Sequence, residues 1–153
     1  LGTILFGPAA MCVIGLIVLL FQALLLAHGG LTTLGANTFS MAIAGPMTAF
    51  LIYSLCRKIR APKSIGVFLA ATIGDLATYI VTAVRLALAH PAEAGGYMTS
   101  LEEFLGIFAF TQIPLAIVEG ALTVIVIKGL EAYAKPELTA LGYTGKDRRE
   151  EKK

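Results

Sequence analysis

The segment from His28 to Asn37 holds the residue types in this chain best suited to binding a small polar solute or a metal ion. It contains one imidazole, one carboxamide, two hydroxyls and three glycines, and no charged side chain. Imidazole nitrogen is a good ligand for Co, Ni, Cu and Zn, and glycines let a backbone approach a bound ion closely. Two interpretations of His28 stay open. It contributes to a metal site, as a ligand or by bonding to one, or it bonds carbonyl groups at a helix end.

A second set of polar side chains interrupts two otherwise apolar stretches: Thr72, Asp75, Thr78, Tyr79, Thr82, Arg85, Gln112 and Glu119. Asp75 and Arg85 are ten residues apart, about 15 Å along a helix, so they cannot pair with each other. Asp75 and Glu119 are predicted to lie at similar depth, where they could share a proton or a cation. The alternative is that each carboxylate accepts hydrogen bonds that fix helix packing, while Arg85 extends its charge toward water.

The remaining candidates point to structural roles. His90 precedes Pro91 at a predicted helix end, which favours capping. Cys12 and Cys56 lack the spacing of a metal site and are expected to be small buried residues. The chain has no nucleophile elbow, Walker A sequence, zinc-protease motif or dinucleotide-binding motif. Covalent catalysis and ATP hydrolysis are therefore not predicted, and no basic stripe indicates a nucleic-acid partner.

These side chains must be positioned by membrane-spanning helices. Hydrophobic residues make up 57% of the chain and charged residues 14%, whereas about a quarter of the residues of soluble domains are charged. The stretches nearly free of charge are 4–27, 39–56, 66–89 and 104–127. At about 1.5 Å per residue each reaches roughly 27–36 Å, enough to cross a bilayer core of about 30 Å. We predict an all-α polytopic helix bundle over 1–131, followed by a polar cytoplasmic tail over 132–153.

The distribution of lysine and arginine predicts the orientation of this bundle. Apart from Arg85, every lysine and arginine lies in the 57–63 loop or beyond residue 127. The 90–103 loop carries only acidic charges, and the 28–38 loop carries none. Because basic loops remain in the cytoplasm, the first helix is predicted to run from inside to outside. The C-terminus is then cytoplasmic, and the His28–Asn37 loop lies outside.

Small residues recur on two of the predicted helices at the spacing of close helix contacts. They are Ala42, Gly45 and Ala49 on the second helix, and Ala70, Gly74 and Ala77 on the third. Small-residue faces let membrane helices approach closely. They therefore predict either a compact bundle or a contact with a partner subunit.

Three segments of the sequence are similar to one family of transport proteins. They are Leu5–Ala9 (LFGPA), Leu20–Pro46 (LFQALLLAHGGLTTLGANTFSMAIAGP) and Gln112–Gly120 (QIPLAIVEG). Together they resemble the cobalt/nickel substrate-capture subunits of energy-coupling-factor transporters, the CbiM/NikM family. The similarity extends along the chain to about Gly142.

The resemblance implies a seven-helix subunit that captures Co²⁺ or Ni²⁺ outside a prokaryotic cell, for cobalamin biosynthesis or metalloenzymes. The implied partners are a transmembrane coupling subunit, two cytoplasmic ATPase subunits and a small accessory membrane subunit, with no permanently bound cofactor. In that family, a histidine in second position and a Ser-His-Pro-Thr-type loop hold the metal. Neither occurs in this sequence, so its four helices would correspond to the last four of the seven.

Within this interpretation the Gly-rich segment is the lid of a metal site whose main ligands lie elsewhere. Thr32, Thr33 and Asn37 would orient ligands without holding the metal themselves, and His28 would act beside them or as a ligand. Two hypotheses from other classes remain. One is an intramembrane enzyme that uses the two carboxylates described above, and the other is a purely structural bundle subunit.

Overall fold

The computed structural model describes residues 1–26 and 30–143. Its helices are α1 (Gly2–Phe6), α2 (Pro8–Leu25), α3 (Leu34–Asn37), α4 (Gly45–Lys58), α5 (Lys63–Ala89), α6 (Gly96–Tyr133) and α7 (Lys135–Ala140), with a π-helical segment at Thr38–Ala44 between α3 and α4. Helix α3, the π segment and α4 run together as one span, Leu34–Lys58. This span, α2, α5 and α6 are each long and apolar enough to cross a membrane. The predicted all-α bundle with four membrane helices is confirmed.

Helix α5 lies between α4 and α6 and makes its most extensive contacts with them. Small side chains allow this packing, since Ala70, Ala83 and Ala87 of α5 are fully buried. At the contact with α4, a Cβ atom added to Gly74 would lie 2.8 Å from the Cβ atom of Ala49. The small-residue face predicted on the third helix is therefore used for close packing inside the bundle.

Polar and aromatic contacts join α5 to α6. The Thr72 hydroxyl donates a hydrogen bond to the Ala116 carbonyl at 3.2 Å. The rings of Tyr79 and Phe108 pack with their centroids 5.7 Å apart. Helix α6 continues through Pro114, even though proline removes one backbone donor from the helix. The donor missing at Pro114 therefore does not end the helix.

The helices extend further than the apolar stretches at one end of the bundle. We call this the loop end, because residues 30–37 and 90–95 lie there. The second span begins at Leu34, not at residue 39, and the last one begins at Gly96, not at residue 104. Most of the predicted 90–103 loop is therefore helical. At the opposite end, the last span also continues beyond residue 127, to Tyr133. Hydropathy marks only the part of a helix that suits hydrocarbon, and the two exposed glutamates of the first turns of α6 allow the helix to continue into water.

At the opposite end, which we call the basic end, the C-terminal segment packs back onto the bundle. Leu138 is 2% exposed and Tyr143 is 6% exposed. Both join the core cluster that contains Tyr53 and Val67. These two apolar side chains thus anchor the described part of the predicted polar tail to the bundle, while most of its other residues are exposed. The boundary at residue 131 stays a prediction, and 144–153 lie outside the described residues.

Lys63, the first residue of α5, ties this C-terminal segment to the bundle. Its Nζ atom lies 2.6 Å from Oε1 of Glu131 and 4.1 Å from the centroid of the Tyr143 ring. Burial raises the pKa of the Tyr143 phenol well above its ordinary value, and the Lys63 ammonium acts in the opposite direction. Tyr143 therefore stays neutral at physiological pH and contributes mainly through packing and its contact with the cation.

Replacing Lys63 with methionine is expected to loosen the C-terminal segment without unfolding the bundle. The ion pair is about one-third exposed on both sides, so it contributes only about 0.2–1 kcal/mol, and the cation–ring contact adds about 0.5–1 kcal/mol. We expect limited chymotryptic cleavage after Leu138 and Tyr143, which are buried in the unaltered protein, to become about five-fold faster. Lys58→Met, which removes an exposed lysine at the same end, is the matched control. Equal cleavage of the two variants would contradict this role.

Candidate functional site

The described part of the Gly-rich segment forms a compact turn that leads directly into α3. Gly30 has a φ of 66°, a left-handed conformation that glycine adopts at little cost. The Thr33 hydroxyl donates to the Gly30 carbonyl at 3.3 Å, and the Asn37 N–H donates to the Thr33 carbonyl at 2.9 Å. This part of the segment is therefore held by its own hydrogen bonds.

Asn37, at the end of α3, joins this turn to a different membrane helix. Its Oδ1 atom accepts a hydrogen bond from Nη2 of Arg85 at 3.1 Å. Its Nδ2 atom donates to the Thr33 hydroxyl at 3.5 Å. The Asn37 carboxamide thus lies between the guanidinium group on α5 and the turn.

The π segment at Thr38–Ala44 joins α3 to α4 within the second span. Ser40 is fully buried, and its hydroxyl donates to the carbonyls of Ala36 at 3.2 Å and Asn37 at 3.3 Å. The segment ends just before Pro46, which has no N–H to donate back to the Ala42 carbonyl. π-helical turns often occur at functional sites. Here the π-helical segment lies between the Gly-rich segment and the bundle core.

The other predicted residues of the segment are placed less closely. Thr32 and Thr33 are both exposed, although the Thr33 hydroxyl also bonds Gly30 and Asn37. His28 lies outside the described residues, so its predicted role stays a prediction. His90 ends α5 and is exposed; its carbonyl accepts a 2.8 Å hydrogen bond from the Ser100 hydroxyl.

The predicted intramembrane network is only partly brought together. Asp75 and Gln112 are half-buried, and each has one buried oxygen without a hydrogen bond among the described residues. Glu119 is exposed, although it is near enough to Asp75 to interact electrostatically. Arg85 lies apart from this group and bonds to Asn37. The four side chains therefore do not form one hydrogen-bonded network.

Chemically, the Gly30–Asn37 turn carries no charged side chain and is held in a defined shape by its hydrogen bonds. No group of three or more histidine, cysteine, aspartate or glutamate residues suitable for holding a metal ion occurs among the described residues. The carboxamide and hydroxyl groups of the turn can instead hold or orient ligands supplied by another segment. The absence of carboxylates from Gly30–Asn37 means that the turn adds no negative charge to such a site.

The contact between Asn37 and Arg85 was not predicted from the sequence, which assigned the two residues to different candidate sites. The two residues are 48 positions apart, and neither helical periodicity nor local spacing relates residues so distant. The signal that was present is Arg85 itself, the one basic residue of the apolar stretch 66–89, because such a side chain needs a polar partner within the protein. The uncharged carboxamide of Asn37 gave no charge to match with it.

Comparisons with known proteins agree with this architecture. A family profile described as "CbiM: Cobalt uptake substrate-specific transmembrane region" matches residues 1–138. Two crystal structures have a similar fold. A protein described as a truncated transition metal transporter superimposes with a TM-score of 0.71 at 26% identity, covering 87% of this chain and 67% of that one. A protein described as a transition metal transporter superimposes with a TM-score of 0.70 at 27% identity, covering 86% and 63%.

Sequence relatives are much more similar. A cobalt transport protein CbiM from Lachnoclostridium phytofermentans is 63% identical over 142 residues, which are 93% of this chain and 57% of the relative. One from Moorella thermoacetica is 62% identical over 141 residues, which are 92% of this chain and 54% of the relative. The chain therefore spans a little over half the length of these two relatives.

Proposed function

Because this chain belongs to the CbiM family of cobalt uptake substrate-specific transmembrane regions, we propose that it forms part of a membrane protein that captures Co²⁺ for uptake. The match over residues 1–138 is the observation that carries this proposal. In the proposed arrangement, the Gly30–Asn37 turn is the lid of the capture site. Nitrogen ligands that suit Co²⁺ also suit Ni²⁺, so Ni²⁺ is the second cargo that we propose.

The geometry of the loop end supports this role for the turn. A capture site for a small cation needs a lid of fixed shape, because selectivity among transition metals depends on geometry more than on affinity. The turn is braced by Thr33 and Asn37, and the buried Ser40 hydroxyl holds its junction with the bundle. Its neutral composition would leave the charge of the site to be set by the ligands of the metal.

We further propose that the protein works with other subunits and has one orientation in the cell membrane. The partners would be a transmembrane coupling subunit, two cytoplasmic ATPase subunits and a small accessory membrane subunit. The ATPases would supply the energy that this chain, without a Walker A sequence, does not provide. The positive charge of the basic end supports a cytoplasmic C-terminus and therefore an outer location for the turn.

The test is accumulation of radioactive cobalt by cells that lack their own cobalt uptake system. The cells express the complete set of transporter genes, with or without the gene for this protein. We expect accumulation above background only when this protein is present, and unlabelled Ni²⁺ should reduce it. Equal accumulation in both strains would contradict the proposed function.

A further inference from the structure

The charged group of Arg85 faces protein instead of water. Arg85 lies near the loop end of α5, where an arginine would ordinarily extend its charge toward the membrane surface. Instead its Nη2 atom donates to Asn37 at 3.1 Å. Its Nη1 atom is buried, with no hydrogen-bond partner among the described residues. Burying these donors costs free energy. This indicates that the position of the guanidinium group has a structural or functional role.

Arg85 begins a continuous path of side-chain contacts that ends at the Gly-rich turn. The path runs from its guanidinium group to Oδ1 of Asn37, from Nδ2 of Asn37 to the Thr33 hydroxyl, and from that hydroxyl to the Gly30 carbonyl. Each contact links one residue of this path to the next. A displacement of the guanidinium group would therefore displace the carboxamide and then the turn.

The junction on the other side of Asn37 is also fixed. The Thr38 hydroxyl donates to the Leu34 carbonyl at 2.8 Å, and the Ser40 hydroxyl bonds two carbonyls of α3. Asn37 therefore has little freedom to move toward a shorter or differently shaped cationic side chain at position 85. A lysine at position 85 has a single compact ammonium group and lacks the planar fork of arginine.

We propose that Arg85 is a positioning residue that holds the Gly30–Asn37 turn, through Asn37, in the conformation needed to capture the metal ion. The proposal rests on the function proposed above. It also assigns Oδ1 of Asn37 to the guanidinium group, so that this oxygen serves to position the turn and is not a ligand of the metal.

The experiment compares Arg85→Lys with the unaltered, complete protein, purified in detergent. Hydrogen exchange of the backbone amides at 30–37 reports the order of the turn, and equilibrium dialysis reports Co²⁺ affinity. A hydrogen bond to a charged group contributes about 1.5–3 kcal/mol, so its loss should accelerate exchange and weaken Co²⁺ binding by about ten-fold or more. In cells, the Co²⁺ concentration for half-maximal uptake should rise while the maximal rate stays unchanged.

Two further variants separate positioning from general stability. Arg60→Lys alters an exposed arginine at the basic end and is the matched control, which should change neither exchange nor affinity. Arg85→Lys combined with Asn37→Asp offers a lysine–aspartate pair at the same contact. We expect this pair to restore much of the slow exchange, since a contact between two positions shows as coupling in a double-mutant cycle.

The exchange and affinity measurements each have an outcome that would overturn the proposal. Unchanged exchange at 30–37 in Arg85→Lys would overturn the proposal, as would faster exchange with unaltered Co²⁺ affinity. If the unaltered protein binds no Co²⁺, the proposed function fails, and the exchange measurement alone then decides whether Arg85 holds the turn.

Discussion

Replacing Gly74 with leucine is expected to prevent the bundle from assembling. Gly74 lies where α4 and α5 are closest, and an added Cβ atom would lie 2.8 Å from the Ala49 Cβ atom and 3.3 Å from the Gly45 carbonyl oxygen. A backbone oxygen cannot move aside as the end of a flexible side chain can. Overpacking of this kind costs about 3 kcal/mol or more, a large part of the stability of a small bundle.

Size-exclusion chromatography and thermal unfolding of the purified protein measure this effect. Gly106→Leu is the matched control, because no heavy atom outside the adjoining backbone of α6 lies within 4 Å of the Cβ position at Gly106. We expect the Gly74 variant to aggregate or to unfold at a much lower temperature, and the Gly106 variant to behave like the unaltered protein. If the two variants were equally stable, the close contact between α4 and α5 would be contradicted.

Replacing Asn37 with leucine is expected to weaken metal capture while leaving the bundle folded. Leucine has nearly the same size but can neither accept from Arg85 nor donate to Thr33. The guanidinium group would then lose the hydrogen bond from Nη2 to Asn37, while its Nη1 atom already has no partner among the described residues. Loss of a hydrogen bond to a charged group costs about 1.5–3 kcal/mol, which corresponds to about a ten- to hundred-fold weaker affinity for Co²⁺.

Equilibrium dialysis with radioactive cobalt measures this prediction, and chromatography confirms that the variant is folded. Thr111→Val serves as the control, since Thr111 is exposed on α6 and its hydroxyl bonds only within its own helix turn or to Gln112. The lid assignment would be wrong if the Asn37 variant bound Co²⁺ as tightly as the control did.

The membrane helices could be predicted because a long apolar stretch has few alternative structures in a bilayer. A stretch such as 66–89 must bury its backbone polar groups in helical hydrogen bonds if it crosses a bilayer. The small residues around Gly74 correctly indicated a close contact, since only they let backbones approach. The partner helix and the exact contact atoms required the structure.

The contacts between distant segments were not predictable in the same way. Glu119 and Thr123 are four residues apart and were predicted to share one face of α6, but the structure exposes Glu119 and buries Thr123. A carboxylate exposed on a membrane helix costs about 2.5–3.5 kcal/mol near the middle of the bilayer. We therefore expect Glu119 to contact a polar group outside the described residues.

The packed C-terminal segment shows a second reason why contacts between distant segments were not predicted from the sequence. Its two buried residues, Leu138 and Tyr143, lie in a short stretch between Glu137 and the charged residues that begin at Lys146, so hydropathy averaged over a long window does not detect them. Their burial depends on a pocket formed by Tyr53 and Val67, which come from other helices. Long-range complementarity of this kind has no local signature in the sequence.

Direct binding of Co²⁺ tests the central claim most clearly. The complete protein, purified in detergent, is dialysed against radioactive Co²⁺ in the presence of excess Mg²⁺, which prefers oxygen ligands and retains much of its water. We predict saturable binding that Mg²⁺ does not displace and that Asn37→Leu weakens. Binding that never saturates, or that Mg²⁺ abolishes, would contradict the assignment of this protein to metal capture.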